Sequence, residues 1–364
     1  MKICFIAPAS NYHTIKWSNW FASRGHEVHV ISFIDAQIPT ATVHFIDAGV
    51  SVKDSDSKKV KYLLHGKDVR RVVEQIKPDI INAHYATSYG AVTALSGIKD
   101  YVLSVWGSDV YDFPHKSPVH KALLKYSLKK AKYIFSTSSA MAEETRKYTN
   151  KKIEITPFGV DMTLFNPNKR DHLHKSNFII GTVKTLEPKY GIEYLLAAAA
   201  DIRKKRPDIP LRVRIAGKGS HEEQYKNYCR DLGLENIVDW LGFISQNDAA
   251  CEWANMDVAI VPSTLESESF GVSAVEAEAC GTPVIISDIP GLMEATKPGV
   301  TSVVVPRNNS TAIADAVIKL YDEPAERIAI GEAGRAFAKD FYELNECFKK
   351  PESLFEKYAG GGTT

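Results

Sequence analysis

The residues with the clearest chemical potential are two glutamates, Glu268 and Glu276, which lie eight positions apart on either side of the turn Phe270-Gly271-Val272. Gly271 is expected to open a helix, so the amides of residues 270–272 would lack intrahelical acceptors and could converge on an anion. A phosphate suits such amides. Because carboxylates repel phosphate, the two glutamates are better suited to accept hydrogen bonds from sugar hydroxyls. The stretch therefore predicts a site for a sugar nucleotide.

Two short apolar segments, residues 258–262 and 283–287, position this turn and read as buried strands. The residues between Gly271 and Gly281 predict a helix, which makes the flanking strands parallel. The turn then lies at the carboxyl end of a strand, the edge at which open α/β sheets bind ligands. Glu266 and Glu278 have a different spacing, and we expect them to be solvated.

Lysines follow two other predicted strands of the second half. Lys184 and Lys189 come after the strand at residues 178–183, and Lys218 lies between two glycines after the strand at residues 211–216. Their amines could reach a ligand at the sheet edge, although an ordinary surface lysine is the alternative.

Polar residues also end two predicted strands of the first half. His84 follows the strand at residues 79–83, and Asp109 lies in the turn Trp106-Gly107-Ser108-Asp109 after the strand at residues 101–105. A lone histidine is more often structural than functional. Asp109 could orient either an acceptor or its own loop.

The chain is long enough for two domains, since 364 residues exceed the size at which a single core stops growing. Strands and helices alternate twice along it, which predicts two parallel sheets. The five cysteines show no Cys-x-x-Cys spacing, so a reducing cytoplasm is expected. No apolar run approaches the roughly 20 residues of a membrane helix, and no nucleic-acid-binding module appears.

The order of these motifs resembles the retaining family-four glycosyltransferases, whose Glu-x(7)-Glu signature Glu268 and Glu276 match. The likeness extends from the first strand to about residue 340 and includes four further markers: Arg-Gly-His-Glu-Val at 24–28, Phe-Gly-Val-Asp at 158–161, Ala-Gly-Lys-Gly at 216–219 and Asp-Ile-Pro-Gly-Leu-Met-Glu at 288–294.

That resemblance implies the GT-B architecture, in which two Rossmann-like domains face each other across a cleft. Residues 1–165 would bind the acceptor and residues 166–340 the nucleotide sugar, while a helix at residues 341–358 would cross back to the first domain. It also implies a metal-independent site, in which side chains and helix ends neutralise the diphosphate.

The resemblance further implies a role for each motif residue. Glu276 would hold the ribose hydroxyls and Glu268 the donor sugar, while the amides of residues 270–272 meet the diphosphate or the sugar. His84 matches the place of an active-site histidine that hydrogen-bonds the donor sugar or the acceptor hydroxyl. In the front-face route proposed for this family, the leaving diphosphate accepts the acceptor's proton.

Three positions depart from the family pattern. Lys184 replaces an arginine, Tyr190 occupies the usual place of a lysine before Gly191, and Trp106 replaces a histidine. A lysine lacks the bidentate fork of arginine. Which amine meets which phosphate therefore stays open among Lys184, Lys189 and the reserve candidate Lys218.

Charge is divided unevenly along the chain, since residues 1–165 carry 22 Lys and Arg against 15 Asp and Glu, and the remainder carries 23 against 29. The stretch 116–132 predicts a helix with six lysines and no acid. It could lie on an anionic membrane, or it could be a solvated helix face. The membrane alternative suggests a cytoplasmic enzyme peripheral to the inner face of the plasma membrane and a polyprenyl-diphosphate-linked saccharide as acceptor.

The sequence thus predicts a retaining glycosyltransferase that moves a sugar from a nucleoside-diphosphate sugar to a saccharide or lipid-linked saccharide in surface polysaccharide assembly. Two alternatives stay open. They are a nucleotide-sugar epimerase of the same fold and a non-catalytic accessory subunit that binds sugar nucleotides.

Overall fold

The computed structural model describes residues 1–50, 58–171 and 176–360, and the chain divides into two compact units. One unit comprises Met1–Phe158 together with Cys347–Thr364, and the other comprises Gly159–Glu346. Each unit has its own parallel sheet, which confirms the predicted α/β class with two Rossmann-like sheets.

The first unit is built on seven strands in the order β3-β2-β1-β4-β5-β6-β7, and all neighbouring pairs are parallel. The strands are β1 (Lys2–Ile6), β2 (Glu27–Ser32), β3 (Thr42–Phe45), β4 (Ile80–His84), β5 (Val102–Val105), β6 (Tyr133–Ser136) and β7 (Ile153–Ile155). The α-helices between them are α1 (Tyr12–Ser23), α2 (Gly66–Ile76), α3 (Tyr89–Leu95), α4 (Ser108–Tyr111), α5 (Pro118–Lys130) and α6 (Ser139–Arg146), with 3₁₀ helices at Lys58–His65 and Phe113–His115.

The second unit repeats this plan with six parallel strands in the order β10-β9-β8-β11-β12-β13. The strands are β8 (Phe178–Val183), β9 (Leu211–Ala216), β10 (Val238–Gly242), β11 (Val258–Val261), β12 (Val284–Ser287) and β13 (Ser302–Val305). Its α-helices are α7 (Ile192–Lys205), α8 (Glu222–Asp231), α9 (Gln246–Asn255), α10 (Val272–Ala279), α11 (Pro290–Ala295), α12 (Ser310–Asp322) and α13 (Pro324–Tyr342), with 3₁₀ helices at Pro167–Lys169 and Pro188–Tyr190.

In both sheets the strand order reverses once, between β1 and β4 in the first unit and between β8 and β11 in the second. Chains leave these two strands toward opposite sides, which opens a crevice beyond their carboxyl ends. Each reversal is therefore the place where its sheet offers room for a ligand.

The last helix, α14 (Leu344–Ala359), packs onto the first unit over most of its length. Phe348 and Phe355 on this helix are fully buried. The Phe348 ring lies 5.1 Å from that of Trp17, and the Phe355 ring lies 5.4 Å from that of Phe21, as measured between centroids. Helices α1 and α14 thus share one aromatic core.

Candidate functional site

Lys184 and Glu268 meet where the second sheet reverses its strand order. Lys184 directly follows β8, and the loop that carries Glu268 follows β11. The Nζ atom of Lys184 lies 2.8 Å from Oε2 of Glu268, and the two side chains are only 12% and 8% exposed. The hydroxyl of Ser263 donates a 3.4 Å hydrogen bond to the same carboxylate oxygen. Two of the sequence-predicted residues thus form a buried ion pair in the crevice of this unit.

The surroundings of Lys184 keep its amine charged. Burial alone would lower the pKa of this ammonium, but the Glu268 carboxylate, with smaller contributions from Tyr190 and Glu276, raises the pKa above its ordinary value. Nζ also donates to the hydroxyl of Ser273 at 3.4 Å, and that hydroxyl donates to a carbonyl at the end of β8 at 3.2 Å. The ammonium is therefore fixed between the strand end and the first turn of α10.

Helix α10 begins at the glycine turn that the sequence singles out. Gly271 has a φ of 78°, and a Cβ atom there would lie 2.7 Å from Cδ2 of Leu292. Phe270 is buried and packs edge-on against Tyr342, with ring centroids 5.3 Å apart. The amides of Gly271 and Val272 precede the helix's first hydrogen bond, which residue 274 donates to the Gly271 carbonyl. This first turn can present backbone donors to an anion.

Glu276, the second predicted glutamate, lies inside α10 and is only 7% exposed. The indole nitrogen of Trp253 donates to its Oε2 atom at 3.4 Å, and Trp253 itself is fully buried. This contact orients the carboxylate on a rigid helix.

Glu278 is fully buried, so the expectation that it is solvated is wrong. Within the described residues neither of its carboxyl oxygens has a hydrogen-bond partner by geometry. Burial raises its pKa well above the ordinary value, with the Thr301 hydroxyl opposing that rise. Glu278 is buried because its helix, α10, packs against α9, α11, α13 and the sheet and so has no solvated face. Glu266, by contrast, is 51% exposed beside Arg307, as expected.

The other two predicted lysines lie in different settings. Lys189 is half-buried, with its Nζ 4.8 Å from the ring centroid of Tyr190. Lys218 is exposed on the turn after β9. The glycine before it is required by packing, because a Cβ atom on Gly217 would lie 1.9 Å from the carbonyl oxygen of Lys184.

In the first unit, His84 ends β4 and is fully buried beside Trp106, with ring centroids 4.3 Å apart. Its Nε2 lies 2.9 Å from Oδ1 of Asn82, whose amide nitrogen donates to β5 and so fixes the amide orientation. Its Nδ1 has no hydrogen-bond partner among the described residues. Burial lowers the pKa of the imidazole to about 3. The ring is therefore neutral at physiological pH, with Nε2 as donor and Nδ1 as a vacant acceptor.

Asp109 joins the two loops that follow β4 and β5. Its carboxylate accepts hydrogen bonds from the amides of Ala86 at 2.8 Å, Gly107 at 2.8 Å and Trp106 at 3.1 Å. Burial raises its pKa, and these amides oppose the rise. Tyr85, between His84 and Ala86, has a positive φ of 66°, an uncommon conformation for a residue with a side chain. The contacts of Asp109 hold this loop in place.

Four residues that support the predicted side chains were not predicted, namely Ser263, Ser273, Trp253 and Asn82. Serine, tryptophan and asparagine at these positions fit no motif, so no local pattern marks them. Tyr190 is different, because its departure from the family pattern is visible in the sequence.

Within the described ranges, no group of three or more His, Cys, Asp or Glu side chains is arranged to hold a metal ion. None of the described helices is both long enough and apolar enough to cross a membrane.

Two parallel sheets of this kind form the GT-B fold, and solved glycosyltransferase structures share it. Sucrose-phosphate synthase from Thermosynechococcus elongatus superposes with a TM-score of 0.85 at 18% identity over 100% of both chains. Anabaena HepE, solved in complex with UDP, gives a TM-score of 0.82 at 19% identity over 98% of this chain and 100% of that one.

Sequence comparison gives the family. Residues 165–337 match the model described as glycosyl transferases group 1, and residues 2–138 match glycosyl transferase 4-like. The D-inositol 3-phosphate glycosyltransferase of Pseudarthrobacter chlorophenolicus is 31% identical over 335 residues, which cover 83% of this chain and 77% of that protein. An uncharacterized glycosyltransferase of Methanocaldococcus jannaschii is 25% identical over 82% of this chain and 81% of its own length. The chain belongs to the group 1 glycosyltransferases, and the predicted transferase activity class is confirmed.

Proposed function

We propose that this glycosyltransferase transfers a sugar, with retention of anomeric configuration, from a nucleoside-diphosphate sugar to a saccharide or lipid-linked saccharide. The observation that carries the proposal is the buried pair of Lys184 and Glu268 at the strand reversal of the second sheet, beside the first turn of α10. The UDP bound by Anabaena HepE, which has the same fold, supports a nucleoside-diphosphate donor.

Each group of the second unit is suited to one part of the donor. Glu276, held by an indole inside a helix, accepts hydrogen bonds from ribose hydroxyls, and Glu268 accepts them from the donor sugar. The amides of residues 270–272 and the Lys184 and Lys189 ammonium groups face the diphosphate. Lys218, exposed on the neighbouring turn, is the reserve cation.

In the proposed reaction the bond between the anomeric carbon and the diphosphate oxygen breaks, while the acceptor oxygen bonds to that carbon from the same face. The departing diphosphate oxygen takes the proton of the acceptor hydroxyl, so no carboxylate nucleophile is needed. Lys184, charged at neutral pH, stabilises the negative charge that grows on the leaving group.

In the first unit we propose His84 as a neutral hydrogen-bonding group whose vacant Nδ1 accepts from a sugar or acceptor hydroxyl. Because the imidazole is fully buried, this role requires the neighbouring side chains to move. We propose Asp109 as the residue that holds its loop.

The test begins with the stereochemistry of the product. Wild-type enzyme is incubated with UDP-, GDP- and ADP-sugars and a saccharide acceptor, and the new linkage is followed by proton NMR. A new linkage with the same anomeric configuration as the donor sugar supports retention. A linkage with the opposite anomeric configuration refutes it. Conversion of a donor without any acceptor would instead favour the epimerase alternative.

Glu276→Ala tests the donor site, with Glu266→Ala as a matched control because Glu266 is an exposed acid of the same region. We expect Glu276→Ala to weaken donor binding by about 10- to 100-fold, the effect of losing hydrogen bonds to a charged group. Glu266→Ala should bind like wild type. Unchanged donor affinity and turnover in Glu276→Ala would remove the basis of the assignment.

The acceptor has a second candidate, because a relative that matches over most of both chains is named a D-inositol 3-phosphate glycosyltransferase. A phosphorylated inositol is therefore assayed beside a saccharide and a polyprenyl-diphosphate-linked saccharide. The acceptor with the highest kcat/KM identifies the substrate class.

We further propose that α5 contacts an anionic membrane when the acceptor is lipid-linked. Lys121, Lys125 and Lys129 are exposed on this helix, together with Val119, which is 75% exposed. Exposed lysines with an apolar side chain favour a lipid surface. Co-sedimentation with vesicles should rise with phosphatidylglycerol content and fall on Lys→Glu changes at these three positions. Vesicle binding that changes neither with the phosphatidylglycerol content nor on the Lys→Glu changes would count against membrane contact.

A further inference from the structure

Tyr190 contacts both of the lysines that follow β8. Its ring centroid lies 4.5 Å from the Nζ atom of Lys184 and 4.8 Å from the Nζ atom of Lys189. An ammonium within about 6 Å of a ring centroid is attracted by the negative face of the ring. One aromatic side chain thus holds two cations that reach it from different positions in the loop.

The backbone around Tyr190 is fixed against the start of the loop that carries Glu268. The amide of Thr264 donates to the Lys189 carbonyl at 2.8 Å, and its hydroxyl donates to the Pro188 carbonyl at 3.3 Å. Gly191 has a φ of 65°, and a Cβ atom there would lie 2.1 Å from the carbonyl oxygen of Pro262. Little freedom remains for the turn, so the ring has a defined place at the strand reversal.

We infer that Tyr190 is a positioning residue, whose ring holds the Lys184 and Lys189 ammonium groups together so that both can meet the diphosphate of the donor. The inference rests on the proposed donor site. Lys189 directly precedes Tyr190, and Lys184 follows β8, so the ring contacts one amine from its neighbour in sequence and one from the strand end.

The physical reason is that two like charges near each other repel, and long lysine side chains lose much conformational entropy when they are held in one geometry. An aromatic face offsets part of both costs before the ligand arrives. The diphosphate then meets two cations already in place, which improves binding by preorganisation.

The first measurement needs no donor. Lysine amines are dimethylated with ¹³C, which keeps their charge, and the signals of Lys184 and Lys189 are assigned with Lys→Arg variants. Ring currents should shift both signals in wild type and in Tyr190→Phe, and the shifts should vanish in Tyr190→Leu. Equal signals in wild type and Tyr190→Leu would overturn the inference.

The second measurement compares UDP with uridine by calorimetry. Tyr190→Leu should weaken UDP binding by about tenfold, while uridine binding and the melting temperature stay unchanged and Tyr190→Phe behaves like wild type. Tyr194→Leu, which removes a tyrosine packed on the core of the same unit, controls for general disturbance. Full UDP affinity in Tyr190→Leu, or an equal loss in Tyr190→Phe, would refute the role of the ring. If wild type binds no UDP, GDP or ADP, the proposed donor site fails, whereas the NMR result still decides whether Tyr190 orients the lysines.

Discussion

The Nζ atom of Lys184 lies 2.8 Å from the Oε2 atom of Glu268, and neither side chain is more than 12% exposed. Each charge is paired by the other in a site that water hardly reaches. An anionic ligand at this point competes with Glu268 for the ammonium, and a hydroxyl-bearing ligand competes with Lys184 for the carboxylate. A sugar diphosphate can satisfy both groups at once.

Glu268→Ala should destabilise the second unit by about 3 kcal/mol, because it leaves the Lys184 charge buried without its partner. The double change Lys184→Met with Glu268→Ala should recover part of this loss, since no charge is left alone. Urea unfolding of the single and double variants measures the difference. A single variant as stable as wild type would show that the pair adds nothing to the fold.

The pH dependence of that pair follows from the raised pKa of Lys184. A lysine whose pKa is raised by folding stabilises the folded state below its unfolded pKa of about 10.4 and loses that contribution as the pH rises through the folded pKa. The stability difference between wild type and Lys184→Met should therefore be constant from about pH 7 to 9 and shrink above about pH 10. Unfolding curves at these pH values test it.

Glu278→Met should stabilise the protein by about 1–3 kcal/mol at pH 7, because it replaces a buried carboxyl group, for which the described residues offer no partner within hydrogen-bond geometry, with an apolar chain. Since folding raises the pKa of Glu278, wild type loses stability relative to the variant as the pH rises above the unfolded value of about 4.3. The gain should thus be larger at pH 7 than at pH 4.5. Glu266→Met, at an exposed acid, is expected to change stability by less than about 0.5 kcal/mol.

His84→Gln should make the free energy of unfolding depend less on pH in the acidic range. The folded pKa of His84 is about 3, so the unfolded chain takes up a proton near pH 6.5 that the folded chain does not. Wild type should lose up to about 1.4 kcal/mol per pH unit below that value from this group. Tryptophan fluorescence during urea unfolding at pH 5 and pH 7 reports the slope, and equal slopes for wild type and variant would contradict the assignment.

Asp109→Ala should lower the stability of the first unit by about 2–4 kcal/mol, because the amides of Ala86, Trp106 and Gly107 lose their common acceptor. Asp109→Asn keeps one acceptor oxygen and should lose less. Thermal unfolding of wild type and both variants shows whether their melting temperatures fall in this order, with wild type highest and Asp109→Ala lowest. Equal melting temperatures for all three proteins would show that the loops hold without this carboxylate.

Most of the framework follows from the sequence, because parallel strands are short apolar runs and the helices between them are amphipathic. For this reason the sequence predicts both the link between β11 and α10 and the position of Lys184 after β8. Strand β3 and helix α9 were not predicted, since β3 has only four residues and Trp253 is the one large apolar side chain of α9.

The burial of individual side chains is harder to predict from the sequence. Glu276 and Glu278 are two positions apart, and the sequence suggests that only one faces the protein, whereas α10 is surrounded and buries both. His84 was expected at a ligand-facing strand end, but only the packing of Trp106 and its neighbours determines that the ring is enclosed. Such facts depend on which elements meet in space, and local patterns do not encode that.

The aromatic core shared by α1 and α14 has a consequence for biosynthesis. Trp17 and Phe21 are made long before Phe348 and Phe355, the residues of α14 that cover them. Part of the apolar surface of the first unit therefore stays uncovered during synthesis until α14 has left the ribosome. A nascent chain that stops before α14 carries an unfinished first unit.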